Sequence, residues 1–302
     1  MLNSKQCEAF LSVAETGSFD LAATQLYITA SAVTLRVQSL EKSLGQILIV
    51  RERPCRATPA GQSLMQYLQH SRLLEQQFMQ NLAGHTTSTG FYQVNIATND
   101  DSLATWLMPL IQKTLLDERI CLHLQVDDQT HTHKLLQEGL VSACISTESE
   151  AMKGCIASPI GYMRYRMVCT PQFAQQWFLH GANRETLRQA PAVIYNHKDH
   201  FHSDIILKHF GLMQNSYPHH LIPSSHIFAQ TIVSGLGYGM LPDYQSARYL
   251  ENGTLIEIIP ELCTDMHLYW HHWKQQSVQL KALTRILTQQ VNGYMNASRC
   301  LH

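Results

Sequence analysis

The chain has 302 residues, enough for two or three compact units that each bury a hydrophobic core. Its formal net charge of −1 excludes a uniformly basic nucleic-acid-binding protein, and no apolar run in it is long enough to span a bilayer. No apolar signal-peptide region follows Lys5, Gln6 and Glu8, so we expect a cytoplasmic protein with no membrane partner.

The positive charge is concentrated in one segment. Between Ile28 and Thr58 only Glu41 and Glu52 oppose the basic residues, which are Arg36, Lys42, Arg51, Arg53 and Arg56. A local excess of positive charge is typical of a DNA-binding surface. The excess is modest, so we expect one copy to bind DNA weakly and to depend on dimerisation and on salt concentration.

The cysteines are scattered along the chain and include no Cys-x-x-Cys pair. We expect them to be small buried hydrophobic residues in a reducing compartment: Cys7, Cys55, Cys121, Cys144, Cys155, Cys169, Cys263 and Cys300. Cys55 falls in the basic segment, where exposure would permit oxidation, but no nearby residue indicates a partner thiol.

Residues 19–44 predict two helices joined by a short turn. Small residues at Ala22 and Ala23 let the first helix cross another closely, and the turn lies around Tyr27 and Ile28. The second helix begins at a Thr29/Ser31 cap, and its buried face is predicted to carry Ala32, Val33, Val37, Leu40 and Leu44. Its other face carries the candidate base-reading and phosphate-binding residues Ser31, Thr34, Leu35, Arg36 and Gln38.

A basic wing is predicted directly after the second helix. Leu44-Gly45 ends that helix, and Ile47–Val50 reads as a β-branched strand. Candidate phosphate-binding residues follow, namely Arg51, Arg53, Arg56 and Thr58. The pattern favours a winged helix-turn-helix, although periodicity alone leaves open an ordinary helical pair with a solvated arginine loop.

The order of these motifs resembles that of the LysR-type transcriptional regulators. The shared pattern comprises A-A-x-x-L, S-A-V-x-x-R-V-x-x-L-E, L-G, the strand, Arg51 and T-P-A-G. Across the whole chain the resemblance is to the lysine- and arginine-responsive regulators of basic amino-acid export, through ITASAVTLRVQSLE, NDDSLATWLMPL, LHLQVDD, QAPAVIYNH, MLPDYQ and LYWHHW.

The chain departs from that family pattern on the second helix. Ala30 and Leu35 stand at common glutamine positions, and Thr34 replaces the usual serine. Since these changes remove amides able to read adenine, the base specificity of the family does not carry over. Ile47–Val50 also lacks the usual Leu-Phe pair, which we interpret as a change in packing.

The residues after the wing predict one long amphipathic helix. From Pro59 its apolar positions are Leu64, Leu68, Leu74, Phe78 and Leu82. Spacing alone would allow a helix packed on its own domain, whereas the resemblance implies a linker helix paired in a dimer. Residues 84–90, GHTTSTG, read as a hinge. We therefore divide the chain into residues 1–59 (winged helix-turn-helix), 60–90 (linker helix and hinge) and 91–302 (effector-binding domain).

Residues 91–302 alternate between strand and helix patterns. We predict strands at Val94–Thr98, Leu122–Val126, Ala143–Thr147, Tyr165–Thr170, Ala192–Tyr195, His219–Pro223, Tyr238–Leu241, Leu255–Ile259 and Leu268–Trp273. Such alternation predicts an α/β fold with mainly parallel sheets. The resemblance implies two αβ subdomains like those of periplasmic binding proteins, with the chain crossing between them near residues 147–160 and 263–271.

The best candidate for an effector site lies at the ends of the first two strands. Thr98 to Ser102 open a helix whose N-cap is predicted to be Asp101 or Ser102, and its free N–H groups suit an α-carboxylate. Nearby acids suit a lysine or arginine cation. The candidate residues are Asn99, Asp100, Ser102, Asp127, Asp128, Thr147, Asn196, Ser224 and Ser225. Helix capping or a solvated acidic turn would also explain these acids.

The candidate motifs for catalysis and metal binding are incomplete. His197–His202, HKDHFH, fits no closed zinc site, and Gly235–Gly239, GLGYG, follows a helix and enters a strand, the reverse of a dinucleotide fingerprint. We interpret those glycines as ending a helix and passing close to a neighbouring segment. We predict no catalytic residue, no metal and no cofactor.

The sequence therefore predicts a DNA-binding transcriptional regulator, not an enzyme. Its effector would be L-lysine or L-arginine, and binding would close the two αβ halves and alter the paired DNA-binding domains. The resemblance adds control of an exporter gene, assembly as a homodimer or homotetramer, and RNA polymerase as a further candidate partner. Alternatives are a regulator with another effector, an effector-independent architectural DNA-binding protein and, last, an enzyme built on a binding-protein-like domain.

Overall fold

A computed structural model describes residues 2–68, 71, 90–127, 132–197 and 200–289 of the chain. The chain divides into two compact units. The first comprises Met1–Gly90, Lys134–Ser142 and Gln275–Ser277. The second comprises Phe91–His133, Ala143–Lys274 and Val278–His302. Among the described helices, none combines the length and the apolarity that crossing a membrane requires.

The N-terminal part of the first unit is a winged helix-turn-helix. Its elements are α1 (Ser4–Thr16), α2 (Phe19–Gln25), α3 (Ala30–Leu44), β1 (Ile49–Val50), β2 (Arg56–Ala57) and α4 (residues 59–68). Ala22, Val33 and Val37 are fully buried in its core. The missing side-chain volume at Ala22 lets α2 approach its neighbours closely, as predicted.

Local caps define the ends of α3 and α4. Thr29 Oγ1 accepts a hydrogen bond from the Ala32 N–H at 3.2 Å, as the predicted cap requires. Thr58 Oγ1 accepts from the Gly61 N–H at 3.1 Å and donates to the Ile47 carbonyl at 2.6 Å. A Cβ at Gly61 would lie 2.2 Å from the Leu48 carbonyl oxygen, so the T-P-A-G motif serves packing.

The second unit contains the remaining strands and most of the remaining helices. Its strands are β3 (Tyr92–Thr98), β4 (Ile120–Val126), β5 (Ala143–Ser146), β6 (Cys155–Cys169), β7 (Ala192–Ile194), β8 (His219–Leu221), β9 (Gly239–Pro242), β10 (Ile256–Glu257) and β11 (Thr264–Trp273). Its helical segments are α5 (Asp100–Ser102), a π-helical stretch (Leu103–Leu107), α6 (Met108–Asp117), the first residues of α7 (Thr132–Gln137), α8 (Pro171–Trp177), α9 (Arg184–Gln189), α10 (Phe201–Phe210), α11 (Ser225–Val233), α12 (Asp243–Glu251) and α13 (Val278–Gln289).

The main sheet of this unit is mixed, so the prediction of mainly parallel sheets is wrong. The strand order is β10-β6-β11-β5-β3-β4, and β9 also pairs with β6. Among the described strands of this sheet, only β3 with β4 and β3 with β5 pair in parallel, whereas β6 and β11 form a long antiparallel pair. A separate parallel pair joins β7 and β8. Periodicity identifies strands but not the direction of their partners.

The start of β6 was not predicted, because Pro159 and Gly161 interrupt its pattern. Pro159 and Gly161 flank a β-bulge. Tyr269 pairs with Pro159 and Leu268 pairs with Gly161, so Ile160 is the extra residue of β6. The strand predicted at Leu255–Ile259 is shortened to Ile256–Glu257.

Two further predictions concern the close approach of the chain at GLGYG and the burial of the cysteines. A Cβ at Gly237 would lie 2.9 Å from the Pro191 carbonyl oxygen, so the predicted close approach at GLGYG is confirmed. Burial is confirmed for Cys7, Cys144, Cys155 and Cys169, but Cys121 and Cys263 are exposed, and Cys55 is half-buried. Cys121 points outward because side chains alternate along β4, which places Cys121 with the exposed His123 and Gln125 and opposite the buried Ile120.

Some predicted segments lie outside the described residues. They include most of the linker helix, since only residues 59–68 and 71 of it are described as helical, and nearly all of the hinge at residues 84–90. Asp128 and Cys300 also lie outside.

Candidate functional site

The side chains on the predicted DNA-reading face of α3 differ in their exposure to solvent. Ser31, Leu35 and Gln38 are exposed, with Leu35 at 66%, while Thr34 and Arg36 are half-buried. Thr34 Oγ1 donates to the Ala30 carbonyl at 2.9 Å. The exposed side chains and the Arg36 guanidinium therefore remain the groups best able to meet a DNA groove.

The wing presents its arginines on a short hairpin. Arg51, Arg53 and Arg56 are exposed, and β1 pairs with β2 through Ile49–Ala57 and Val50–Arg56. Thr58 is half-buried, and its hydroxyl is engaged in capping α4. The arginines are thus exposed, as the predicted phosphate contacts require, whereas the Thr58 hydroxyl is used within the protein.

The wing is attached to α3 by one carboxylate. Glu41 Oε1 accepts hydrogen bonds from the backbone N–H groups of Leu48 at 2.9 Å and Ile49 at 3.2 Å. Its Oε2 lies 3.5 Å from Arg51 Nη2. This arrangement fixes the start of the wing relative to the candidate recognition helix.

A pocket in the second unit lies where several strands end. The space between its walls amounts to about 590 Å³, a volume that includes open solvent. Its lining residues are Asn99, Asp100, Asp101, Asp127, Tyr165, Ile194, Tyr195, Phe201, His202, Phe228, Met240, Leu241, Pro242, Gln245 and Met266. A concave site with apolar side chains and a few polar groups suits a small organic molecule.

Two neighbouring acids dominate the hydrogen bonding around this pocket. Asp100 Oδ2 accepts from the Ser225 N–H at 2.6 Å and from the Tyr195 hydroxyl at 3.1 Å. Asp101 accepts from the Ser225 hydroxyl at 2.5 Å and from the Tyr165 hydroxyl at 2.6 Å. These bonds connect the start of α5 to the start of α11.

Burial raises the pKa of the Asp101 carboxyl group, and the nearby Asp100 charge acts in the same direction. The hydrogen bonds from Ser225 and Tyr165 oppose that shift. A cation entering the pocket would favour the ionised form of Asp101 and would be attracted to the carboxylates around it.

The predicted helix cap is wrong, because Asn99 occupies the N-cap position and makes no side-chain cap hydrogen bond. Asn99 is only 2% exposed, and neither its Oδ1 nor its Nδ2 has a partner among the described residues. Asn99 therefore brings an unsatisfied amide to the pocket wall. Ser102 is fully buried outside the lining, with its Oγ 3.8 Å from Met163 Sδ.

The structure brings together only some of the predicted effector residues. Asn99, Asp100 and Asp127 line the pocket, and Ser225 donates hydrogen bonds to Asp100 and Asp101. Among the described residues, Ser102, Thr147, Asn196 and Ser224 are not part of the lining. These assignments remain predictions about ligand binding.

Sequence reasoning missed Tyr165, Tyr195, His202 and Gln245. Tyr195 directly follows β7, so the rule that ligands meet strand ends was a usable signal. His202 lies within HKDHFH, whose clustered histidines suggest metal binding and not a pocket lining. Gln245 donates from Nε2 to Ser225 Oγ at 2.8 Å, a contact between α12 and α11 without a local sequence signal. Within the described ranges, no group of three or more His, Cys, Asp or Glu side chains is arranged to hold a metal ion.

The fold joins a winged helix-turn-helix to a domain with a small-molecule pocket, which defines a ligand-responsive DNA-binding protein. Residues 4–62 match the family described as bacterial regulatory helix-turn-helix protein, lysR family, and residues 91–292 match the LysR substrate binding domain. The chain belongs to the LysR family of transcriptional regulators, which are not enzymes.

Individual relatives match over nearly the whole chain. The HTH-type transcriptional regulator ArgP of Vibrio vulnificus strain YJ016 is 35% identical, with 97% of this chain and 98% of the relative covered. The crystal structure of ArgP from Mycobacterium tuberculosis has a TM-score of 0.81 at 33% identity, covering 97% and 98% of the two chains. Full-length LysG from Corynebacterium glutamicum with bound effector Arg has a TM-score of 0.76 at 30% identity, covering 97% and 99%.

Proposed function

We propose that this transcriptional regulator senses a basic amino acid, L-lysine or L-arginine, and controls a gene for amino-acid export. The observation that carries the proposal is the charge of the pocket. Asp100, Asp101 and Asp127 line it, and its described lining contains no lysine or arginine. A small cation is therefore the complementary ligand.

The rest of the lining suits the remaining parts of a basic amino acid. Ile194, Met240 and Met266 offer apolar surface for an aliphatic side chain. The unsatisfied amide of Asn99 can bind the α-ammonium or α-carboxylate group. A basic amino acid has a polar α-amino-acid head, methylene groups and a charged tail. These parts would contact the Asn99 amide, the apolar side chains and the carboxylates, respectively.

The relatives support the same class of ligand. The LysG structure carries arginine as its effector, and the curated relatives carry the name ArgP. The ArgP of Photobacterium profundum is 38% identical and covers 92% of each chain. We propose the same class of ligand for this chain because its own pocket is acidic.

On the DNA side, we propose that Arg36 and the exposed residues of α3 enter the major groove. Arg51, Arg53 and Arg56 would contact the flanking phosphates. A homodimer or homotetramer would place two such surfaces on paired half-sites, and RNA polymerase would be a further partner.

Calorimetric titration tests the proposed effector. The purified full chain is titrated with L-lysine and L-arginine, and with glutamate, leucine and benzoate as controls. We expect saturable binding of a basic amino acid alone, weakened by Asp100→Asn and by Asp127→Asn. The control variant Glu118→Gln, exposed at the end of α6, should bind like wild type.

If neither basic amino acid binds while operator DNA still does, the protein remains a LysR-type regulator but the proposed effector is wrong. Binding that persists in both aspartate variants would place the cation elsewhere.

A further inference from the structure

Three polar aromatic side chains form a buried cluster at one wall of the pocket. His202, Tyr217 and Tyr238 are 3%, 4% and 0% exposed. The His202 ring centroid lies 6.2 Å from that of Tyr217 and 5.6 Å from that of Tyr238. Of the three, His202 lines the pocket directly.

The polar atoms of this cluster are unsatisfied within the described protein. Neither ring nitrogen of His202 has a hydrogen-bond partner, and neither do the hydroxyls of Tyr217 and Tyr238. Leaving buried polar atoms without partners is costly, so such groups in a pocket wall point to a partner from outside the chain.

The cluster is uncharged at neutral pH. Burial, with a smaller effect of His219, lowers the pKa of His202 to about 4. Burial also raises the pKa of Tyr217 to about 12. A neutral imidazole has one donor and one acceptor nitrogen, so His202 offers the pocket a hydrogen-bond acceptor that adds no negative charge.

The two candidate cations differ in how many acceptors they need. A guanidinium group holds five N–H donors in a fixed plane, and one carboxylate satisfies two of them. An ammonium group has three donors that rotate freely about one atom. With one carboxylate paired, an arginine head still has three N–H donors fixed in its plane, which need acceptors placed along their directions. A lysine ammonium can rotate its remaining donors toward other carboxylates or water.

We infer that His202 is a specificity-determining residue, whose neutral imidazole accepts a hydrogen bond from the guanidinium group of L-arginine and so favours arginine over lysine. This inference rests on the proposed function and narrows its ligand. Phe201, the preceding residue, packs edge-on against Tyr165 with ring centroids 4.8 Å apart, and Tyr165 donates to Asp101. His202 and the three acids line the same pocket.

Calorimetric titrations of the full chain with each amino acid test the inference. Wild type should bind L-arginine about tenfold more tightly than L-lysine, the effect of one hydrogen bond to a charged group. His202→Leu should lose about tenfold in arginine affinity while its lysine affinity stays unchanged. His202→Gln keeps an acceptor oxygen and should retain a preference for arginine.

The control is His272→Leu, which removes a buried histidine on β11 outside the pocket lining. It should leave the ratio of arginine to lysine affinity unchanged, even where thermal unfolding shows lower stability. The Gln variant keeps the test usable where His202→Leu unfolds.

Equal wild-type affinities for the two amino acids, or a parallel loss of both in His202→Leu and His202→Gln, would overturn the role of His202. Those results would leave the basic amino-acid effector in place. Failure of wild type to bind either ligand would overturn the proposed effector itself, and the inference with it.

Discussion

The hydroxyl of Ser225 donates a 2.5 Å hydrogen bond to Asp101, although 124 residues separate the two along the chain. The same hydroxyl accepts from Gln245 Nε2 at 2.8 Å. Three helical segments, α5, α11 and α12, thus meet at one serine. Because burial raises the pKa of the Asp101 carboxyl group there, its protonation is linked to the stability of the domain.

We predict that Asp101→Asn stabilises the ligand-free protein at pH 7. Burial raises the pKa of Asp101 above its unfolded value, so the native state binds more protons between the two pKa values and stability falls as pH rises through that interval. The amide can still accept from Ser225 or Tyr165 without carrying a charge. Chemical denaturation at pH 7 and near pH 4, the unfolded pKa of about 3.9, should show a gain that shrinks at the lower pH.

Asp265→Asn serves as the control for this measurement. Asp265 forms an ion pair with Arg164 at 2.6 Å, so its replacement should not stabilise the protein. A lower denaturation midpoint for Asp101→Asn at both pH values would mean that the ionised carboxylate holds this junction together.

We predict that protonation of His202 contributes to the loss of folding stability at acidic pH. Its pKa of about 4 lies below its unfolded value, so its contribution to stability is complete above about pH 6.5 and is lost as pH falls toward 4. The loss for one such residue is roughly 3 kcal/mol over that interval. Urea denaturation at pH 7 and pH 4.5 should therefore show a smaller decline for His202→Leu than for wild type.

His220 is exposed, so His220→Gln should decline like wild type. An equal decline in His202→Leu and wild type would indicate that other groups dominate, among them His133, His271 and His272. Burial lowers the pKa of each of these histidines as well.

We predict that Glu41→Ala loosens the wing. The change removes the acceptor for two backbone N–H groups, those of Leu48 and Ile49, at a cost of about 2 kcal/mol. Affinity for operator DNA should fall as well, since the wing arginines lose their fixed position. Thermal unfolding and fluorescence anisotropy with labelled DNA measure the two effects.

Glu52 is an exposed acid of the same wing, so Glu52→Ala should preserve stability. Stability of Glu41→Ala equal to that of wild type would show that the backbone of the wing holds itself in place.

We predict that Arg36→Ala lowers affinity for specific DNA by about tenfold while barely changing stability. Lys42→Ala on the same helix is the matched control, because it removes the same charge from the last turn of α3 at a residue that is not among the predicted base-reading residues. Anisotropy titrations at two salt concentrations separate base reading from phosphate attraction. Equal specific affinity in Arg36→Ala and wild type would remove α3 as the recognition helix.

The sequence predicted the helix-turn-helix well because its determinants are local. Caps at Thr29 and Gly45 and small residues at Ala22 and Ala23 define it within about 30 residues. The antiparallel pairing of β6 with β11 was not predictable in this way, because the two strands lie far apart in the chain and Pro159 conceals the start of β6.

The pocket was predictable only in part for the same reason. Asp100 and Asp127 follow strands, so their position could be read from local pattern. Gln245 and Tyr165 join them through the packing of distant segments, which no spacing rule encodes. Ser102 was expected to face the ligand, but the turn of the helix directs it into the core beside Met163.

The alternation along β6 has a consequence for how this domain tolerates insertions and deletions. Met163, Tyr165 and Met167 are buried on one face, while Arg164 and Arg166 point the other way to their acidic partners. Deletion of one residue just before Met163 would move the following side chains of β6 to the opposite face of the sheet. One deletion would then turn both arginines toward the core and remove Tyr165 from the pocket, so the length of this segment should be among the least variable in functional homologues.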